Sequence, residues 1–177
     1  MAENLKVEKY NDGQSIALII DETLWRSTVS AAMCWYKNDK PTYGATYGAL
    51  YNSFTVKTQK LCPTGWQVPT TGDFGILNTY LGTLTAGGSL KEPGTLHWVA
   101  PNNTNNPTTG FMALPAGKRM QSIGFTNMPA ATYFWTATPY RDGLTYFYNY
   151  QLFGTDVTFN SNVSPITEGL SIRCIRK

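Results

Sequence analysis

A single imidazole, His97 in "TLHWV", is the only side chain of this chain whose unperturbed titration falls near neutrality, and no nucleophile motif stands beside it. Such a histidine reads as a hydrogen-bonded structural residue rather than a general base. No two-carboxylate constellation is evident, and no Cys/His spacing suits zinc. The glycines of "GATYGA" lack the lysine and helix start that a phosphate cradle needs. The expectation is therefore a protein that is not an enzyme and holds no cofactor or metal. What remains is contact chemistry. Ten aromatics lie in the 28 residues from Tyr133 to Asn160, about 36% against 14% for the whole chain, and only Arg141, Asp142 and Asp156 carry charge there. Tyr, Ser, Asn and Gly with an occasional Arg make a recognition surface: large rigid contact area, adaptable hydrogen bonds and little entropy lost on binding. A buried core favours Val, Leu and Ile, because each desolvated tyrosine hydroxyl needs a partner.

Strand alternation in "TYFYNY" sends Tyr146, Tyr148 and Tyr150 to one side and Phe147 and Asn149 to the other. The tyrosine row is expected to face solvent and ligand. Tyr140, Arg141, Asp142, Leu152, Phe153, Asp156 and Phe159, from the flanking loops and next strand, are expected to complete the site. The competing reading makes these aromatics a second, inward sheet face.

The elements that position such a site are those of an α+β protein. At 177 residues a single domain, 1–177, has length enough for a core. Sixteen glycines, ten prolines and 14% charged residues point to many turns and few long helices. "QSIALII" reads as a strand, "DETLWRSTVSAAMCWY" has weak helical periodicity, and a strand is expected through Leu50 to Val56. The well-signalled helix is "TTGDFGILNTYLG". Thr70 or Thr71 caps it, Asp73 sits in its first turn, Phe74, Leu77 and Leu81 form its apolar stripe, and Gly82 stops it. The stretch from Gly87 to Arg119, rich in Asn, Thr, Pro and Gly, reads as a long loop. "ATYFWTAT", "LTYFYNYQLF", "DVTFN" and "LSIRCIR" follow as short antiparallel strands. One or two short helices with a twisted antiparallel sheet and long irregular loops is the predicted architecture.

Charge and hydropathy exclude two partner classes. Net charge is +3 with the basic residues spread along the chain, which argues against a nucleic-acid stripe. The basic "IRCIRK" reads as a solvated strand end. No apolar run approaches the ~20 residues of a membrane-spanning helix, and "MAENLKVEKY" lacks the apolar segment of a signal peptide. Three cysteines allow one bridge and a free thiol in three pairings. Cys62 and Cys174 stand at the edges of ordered-looking motifs, which favours a disulfide between them with Cys34 buried and free; three reduced core cysteines are the alternative.

The segments "MAENLKVEKYNDG", "CWYKND", "YGALYNSFTV", "KLCPTGWQVPT", "GGSLKEPGTLHW", "GFMALPAGKR", "YFWTAT" and "GLSIRCIRK" occur in that order. Together they resemble the Fibrobacter succinogenes major paralogous domain, a family of bacterial and phage surface proteins. The resemblance covers essentially the whole chain and implies a C-type-lectin-like fold. It also implies kinship with the variable proteins of diversity-generating retroelements, in which adenine-directed mutagenesis rewrites chosen codons near the C-terminus. Family sequences carry an Asn-rich run between a "WWSST"-like and a "GFSVRCV"-like strand. Here "YFWTAT" and "GLSIRCI" bracket a diverse run instead, and Asn codons changed at adenines yield most of its residues. The resemblance thus implies a variable ligand-binding region at about residues 135–172. The ligand is expected to be a macromolecule, a protein first and a carbohydrate second, met on a virion or cell surface. The paired cysteines of formylglycine-generating enzymes and the calcium loop motifs of sugar-binding lectins, both known on this fold, have no counterpart in the sequence.

Overall fold

The computed structural model describes residues 1–105 and 109–177. In chain order the elements are β1 (Ala17–Leu18), α1 (Glu22–Ser27), β2 (Ala32–Trp35), a 3-10 turn (Tyr36–Asn38), α2 (Lys40–Tyr47), β3 (Ala49–Tyr51), α3 (Ser53–Lys57), β4 (Trp66–Gln67), α4 (Thr71–Leu81), α5 (Ala86–Leu90), β5 (Lys118–Met120), β6 (Gly124–Thr126), β7 (Ala131–Pro139), β8 (Tyr146–Phe153), β9 (Asn160–Pro165) and β10 (Ile175–Arg176). The class is α+β, with short helices and several small sheets. The helices among the described residues number five rather than one or two. β7–β8–β9 form an antiparallel sheet, β1–β2–β3 a second sheet with a parallel β1/β2 pair, and β4/β10 and β5/β6 are antiparallel pairs.

Local chemistry explains both the agreements and the departures. α4 falls on the predicted segment: the Thr70 hydroxyl accepts from the Asp73 N–H, the Asp73 carboxylate accepts from the Thr70 N–H, and Gly82 ends the helix at φ 90°. The strand expected through Leu50 to Val56 stops at Tyr51, because Asn52 accepts from the Thr55 N–H and starts α3. The second half of "DETLWRSTVSAAMCWY" is a strand, β2, rather than a helix, and all four of its residues are buried. Of "DVTFN" only Asn160 is in a strand: the Asp156 carboxylate accepts from the N–H and hydroxyl of Thr158, and pairing resumes only at Asn160. The long loop expected from Gly87 to Arg119 overlaps α5 at its start and β5 at its end, and its residues 106–108 lie outside the described residues.

The β7–β8–β9 sheet is packed on both faces. One face sends Tyr133, Trp135 and Phe147 into a core with Tyr51, Leu170 and Ile172. The other sends Phe134, Tyr150 and Leu152 against Phe74 of α4, Leu90, Trp98 and Phe159. The N-terminal segment lies along the last residues of the chain through Leu5 N–H to Ile172 O at 2.8 Å and the Met1 amine to Cys174 O at 3.0 Å. Cys62 and Cys174, 112 residues apart, are disulfide-bonded, while Cys34 is free and buried. Burial pushes the Cys34 thiol up to about 12, so it stays protonated.

Three buried cations organise the irregular segments. The Lys91 ammonium donates to the carbonyls of Phe153 (2.7 Å), Gly154 (3.0 Å) and Asp156 (2.7 Å). Arg119 donates to the carbonyls of Ile19, Ile20 and Asp21 and to Glu22, with its guanidinium 4.4 Å from the Trp25 ring centroid. Arg173 donates to Asn4 and to the carbonyls of Phe111 and Met112, and stacks on Phe111 and Phe134. The "IRCIRK" run is therefore not a solvated strand end: Arg173 is buried, and only Arg176 and Lys177 are exposed. Loop carbonyls without a ladder partner need donors once buried, and a guanidinium or ammonium supplies several at once.

Candidate binding face

β7 and β8 run past both cores and close in a turn from Tyr140 to Thr145. The Tyr140 N–H donates to Tyr146 O at 3.2 Å, the Gly143 N–H to Tyr140 O at 3.0 Å, and the Leu144 N–H to the Asp142 carboxylate at 3.0 Å. Gly143 sits at φ 68° with Pro139 so close that a Cβ would lie 2.7 Å from it, so the turn requires glycine. Lys57 of α3 clamps the turn from one side by donating to Gly143 O at 2.7 Å.

On the other side the tyrosines of the tip pack together. Tyr140 meets Tyr148 edge to face at 5.4 Å and Tyr146 at 6.5 Å, and the Arg141 guanidinium lies 5.2 Å from the Tyr140 centroid. Tyr140, Arg141, Asp142, Thr145 and Tyr146 line a depression of 250 Å³. Tyr146 is 40% and Leu144 70% exposed. The hydroxyls of Tyr140, Tyr146 and Tyr148 make no hydrogen bond to described residues, whereas those of buried Tyr51, Tyr133 and Tyr150 each have a partner. A free hydroxyl on a packed ring is a polar handle for something outside the chain.

Of the ten expected ligand residues, Tyr140, Arg141, Asp142, Tyr146 and Tyr148 come together at this tip. The other five are elsewhere. Tyr150 is on the same side of β8 as Tyr146 and Tyr148 but only 7% exposed, stacked on Phe74 at 5.1 Å and Phe159 at 4.7 Å. Leu152 and Phe159 are buried in the same cluster. The reason is α4, which covers this half of the sheet face and leaves the tip half bare. Phe153 faces the opposite core, 6.0 Å edge to face from Tyr133. Asp156 is held by Thr158, whose hydroxyl and N–H keep its carboxyl below the usual range, and its carbonyl serves Lys91. Tyr150, Leu152 and Phe159 are buried and Phe153 and Asp156 half-buried, and the structure does not bring these five to the tip.

Residues missed in the sequence reading are Leu144 and Thr145 in the turn, Lys57 behind it, and Val163, which pairs with Tyr148 across β8/β9. The Asp142-Gly143 pair is a turn signal present in the sequence, and with the apolar residue directly after it, Leu144, it was the available clue.

His97 lies away from the tip. Its Nδ1 is 2.9 Å from both oxygens of the Glu92 carboxylate, and its ring meets Tyr47 edge to face at 5.8 Å. Among the described residues no group of three or more His, Cys, Asp or Glu is placed to hold a metal ion, and no helix is long and apolar enough to cross a membrane.

A family model, the Fibrobacter succinogenes major domain, matches residues 1–176. No curated protein and no solved structure matches the chain.

Proposed function

The chain belongs to the Fibrobacter succinogenes major domain family, and on that premise we propose that it is a ligand-binding protein whose β7–β8 tip recognises a macromolecule, a protein before a carbohydrate. The observation that carries this reading is the packed trio Tyr140, Tyr146 and Tyr148 with Arg141 stacked on it, outside both cores and with its hydroxyls unspent. Folding gains little from such a group, and tyrosine and arginine are the residue types that dominate binding hot spots. A tyrosine cluster with a stacked arginine is of the kind that anchors protein partners, which favours the protein ligand.

The scaffold reading is a C-type-lectin-like fold. It is supported by the N-terminal segment lying beside the C-terminal one and by a long irregular region hung on a small twisted sheet. Within it, the chain acts as a variable protein of the diversity-generating kind, displayed on a virion or cell surface, where multivalency adds avidity. The diverse run between "YFWTAT" and "GLSIRCI" supports that assignment. The protein performs no catalysis in this account; His97 orders the Glu92 segment.

The test is direct. Benzoylphenylalanine in place of Leu144 captures the partner by photo-crosslinking on intact host cells, and biolayer interferometry then measures its affinity for the chain. Replacing Tyr146 and Tyr148 by Ala is expected to weaken binding by about thirtyfold or more, the loss of one hot spot. Undiminished affinity in that variant, or saturable binding to a glycan array in place of protein, defeats the reading.

A further inference from the structure

On the flank of the β7–β8 ridge opposite the tyrosines, a cleft of 480 Å³ lies between α3, β4 and the outer end of the hairpin. Its size falls within the ~300–1,000 Å³ of ligand-sized clefts. Val56, Val68, Pro139 and Phe147 give it apolar walls. Lys57, Lys177, Gln59 and Gln67 also line it, and among the described residues no acidic side chain does. Lys57 spends one N–H on Gly143 O at 2.7 Å and stands 5.3 Å from the Phe147 centroid, so its remaining N–H donors are free for an incoming acceptor. The Thr70 hydroxyl, also on the lining, is committed to the α4 cap.

We propose that this cleft is an anchoring subsite for an acidic peptide segment, which seats an apolar side chain against Phe147 and Val68 and sets a carboxylate on Lys57 and Lys177. The proposal rests on the tip being a binding face and extends it: one partner straddles the hairpin, touching tyrosines on one flank and the cleft on the other. The Lys57–Gly143 bond ties the two together, since the ammonium that receives the carboxylate also holds the turn carrying Tyr140 and Arg141. The apolar walls of Val56, Val68, Pro139 and Phe147 suit a peptide side chain better than a polyhydroxylated glycan.

The experiment follows backbone amides by nitrogen–proton correlation spectroscopy while acetyl-Glu-Phe-Glu-amide is added. The neutral isostere acetyl-Gln-Phe-Gln-amide and oligogalacturonate serve as comparison probes. Saturable shifts are expected at Val56, Lys57, Gln67, Val68 and Phe147, with the isostere about fivefold weaker or worse. Lys177→Gln and Lys57→Gln should each cost on the order of threefold, as for exposed ion pairs. Because Lys57→Gln also frees the turn, Lys177→Gln carries the test if the hairpin spectrum changes. The titration should persist in a variant with Tyr140, Tyr146 and Tyr148 all replaced by Ala. Its loss in the wild-type chain while those tyrosines still govern partner binding overturns the cleft alone. Equal binding of the isostere, or tighter binding of oligogalacturonate at the same amides, overturns it too.

Discussion

Replacing Tyr150 by Ala should destabilise the protein far more than replacing Tyr146, although the two side chains leave β8 on the same side. Tyr150 is 7% exposed, wedged between Phe74 and Phe159 at 5.1 and 4.7 Å, with its hydroxyl 3.4 Å from Thr71 O. Truncating a buried aromatic costs about 3–5 kcal/mol. At about 3 °C per kcal/mol for a chain of this size, the midpoint should fall by about 9–15 °C. Tyr146 is 40% exposed and touches Tyr140 only edge to face at 6.5 Å. Its removal forfeits about 1 kcal/mol of aromatic contact and strand propensity, or about 3 °C. Calorimetric melts of the two variants under one buffer make the comparison. Equal midpoints, or a Tyr150→Ala protein melting within about 3 °C of the wild type, would refute the division of the tyrosine row into tip and core.

Other perturbations probe the scaffold. Cys62→Ser should cost about 2–5 kcal/mol, toward the upper end because the bridge closes a loop of 112 residues, and a urea midpoint measures it. Lys91→Met leaves the carbonyls of Phe153, Gly154 and Asp156 without their donor, so a loss of about 2–4 kcal/mol is expected, with faster hydrogen exchange at residues 154–158 and no change at the tip. Ionisation of buried phenols should destabilise the protein at alkaline pH. Burial raises the phenols of Tyr10, Tyr36, Tyr47, Tyr51, Tyr133 and Tyr150 above 10, so above that pH the unfolded chain loses protons that the folded one keeps. The stability these phenols contribute is whole below pH 10 and falls as pH climbs through the raised values, by up to about 1.4 kcal/mol per pH unit for buried Tyr51 and less for the partly exposed others; denaturant melts at stepped pH follow it.

What was legible depended on how local the cause was. The cap and box of α4, its Gly82 stop and the Asp142-Gly143 turn are set by neighbours within a few residues, and the structure has them where the sequence points. Alternation correctly assigned Tyr146, Tyr148 and Tyr150 to one side of β8, but a side is not an exposure. Whether α4, some seventy residues earlier, lies over a given rung is a tertiary fact with no local signal. The buried cations were invisible for a related reason. Charged side chains are almost always exposed, and the partners of Lys91, Arg119 and Arg173 are chiefly backbone carbonyls, which leave no residue type to read. Asn52 was legible in principle: an Asn followed by Ser and Thr is a cap signal, outweighed by the apolar pattern around it.

The claim that the tip is a binding surface remade by directed mutation is tested most directly by sequencing sister copies of the coding region within one population. Substitutions are expected at adenines and at the tip positions Tyr140, Arg141, Asp142, Leu144, Tyr146 and Tyr148, while Tyr150, Leu152 and Phe159 stay fixed beneath α4. Copies whose changes fall evenly on tip and core, or without preference for adenines, would contradict it.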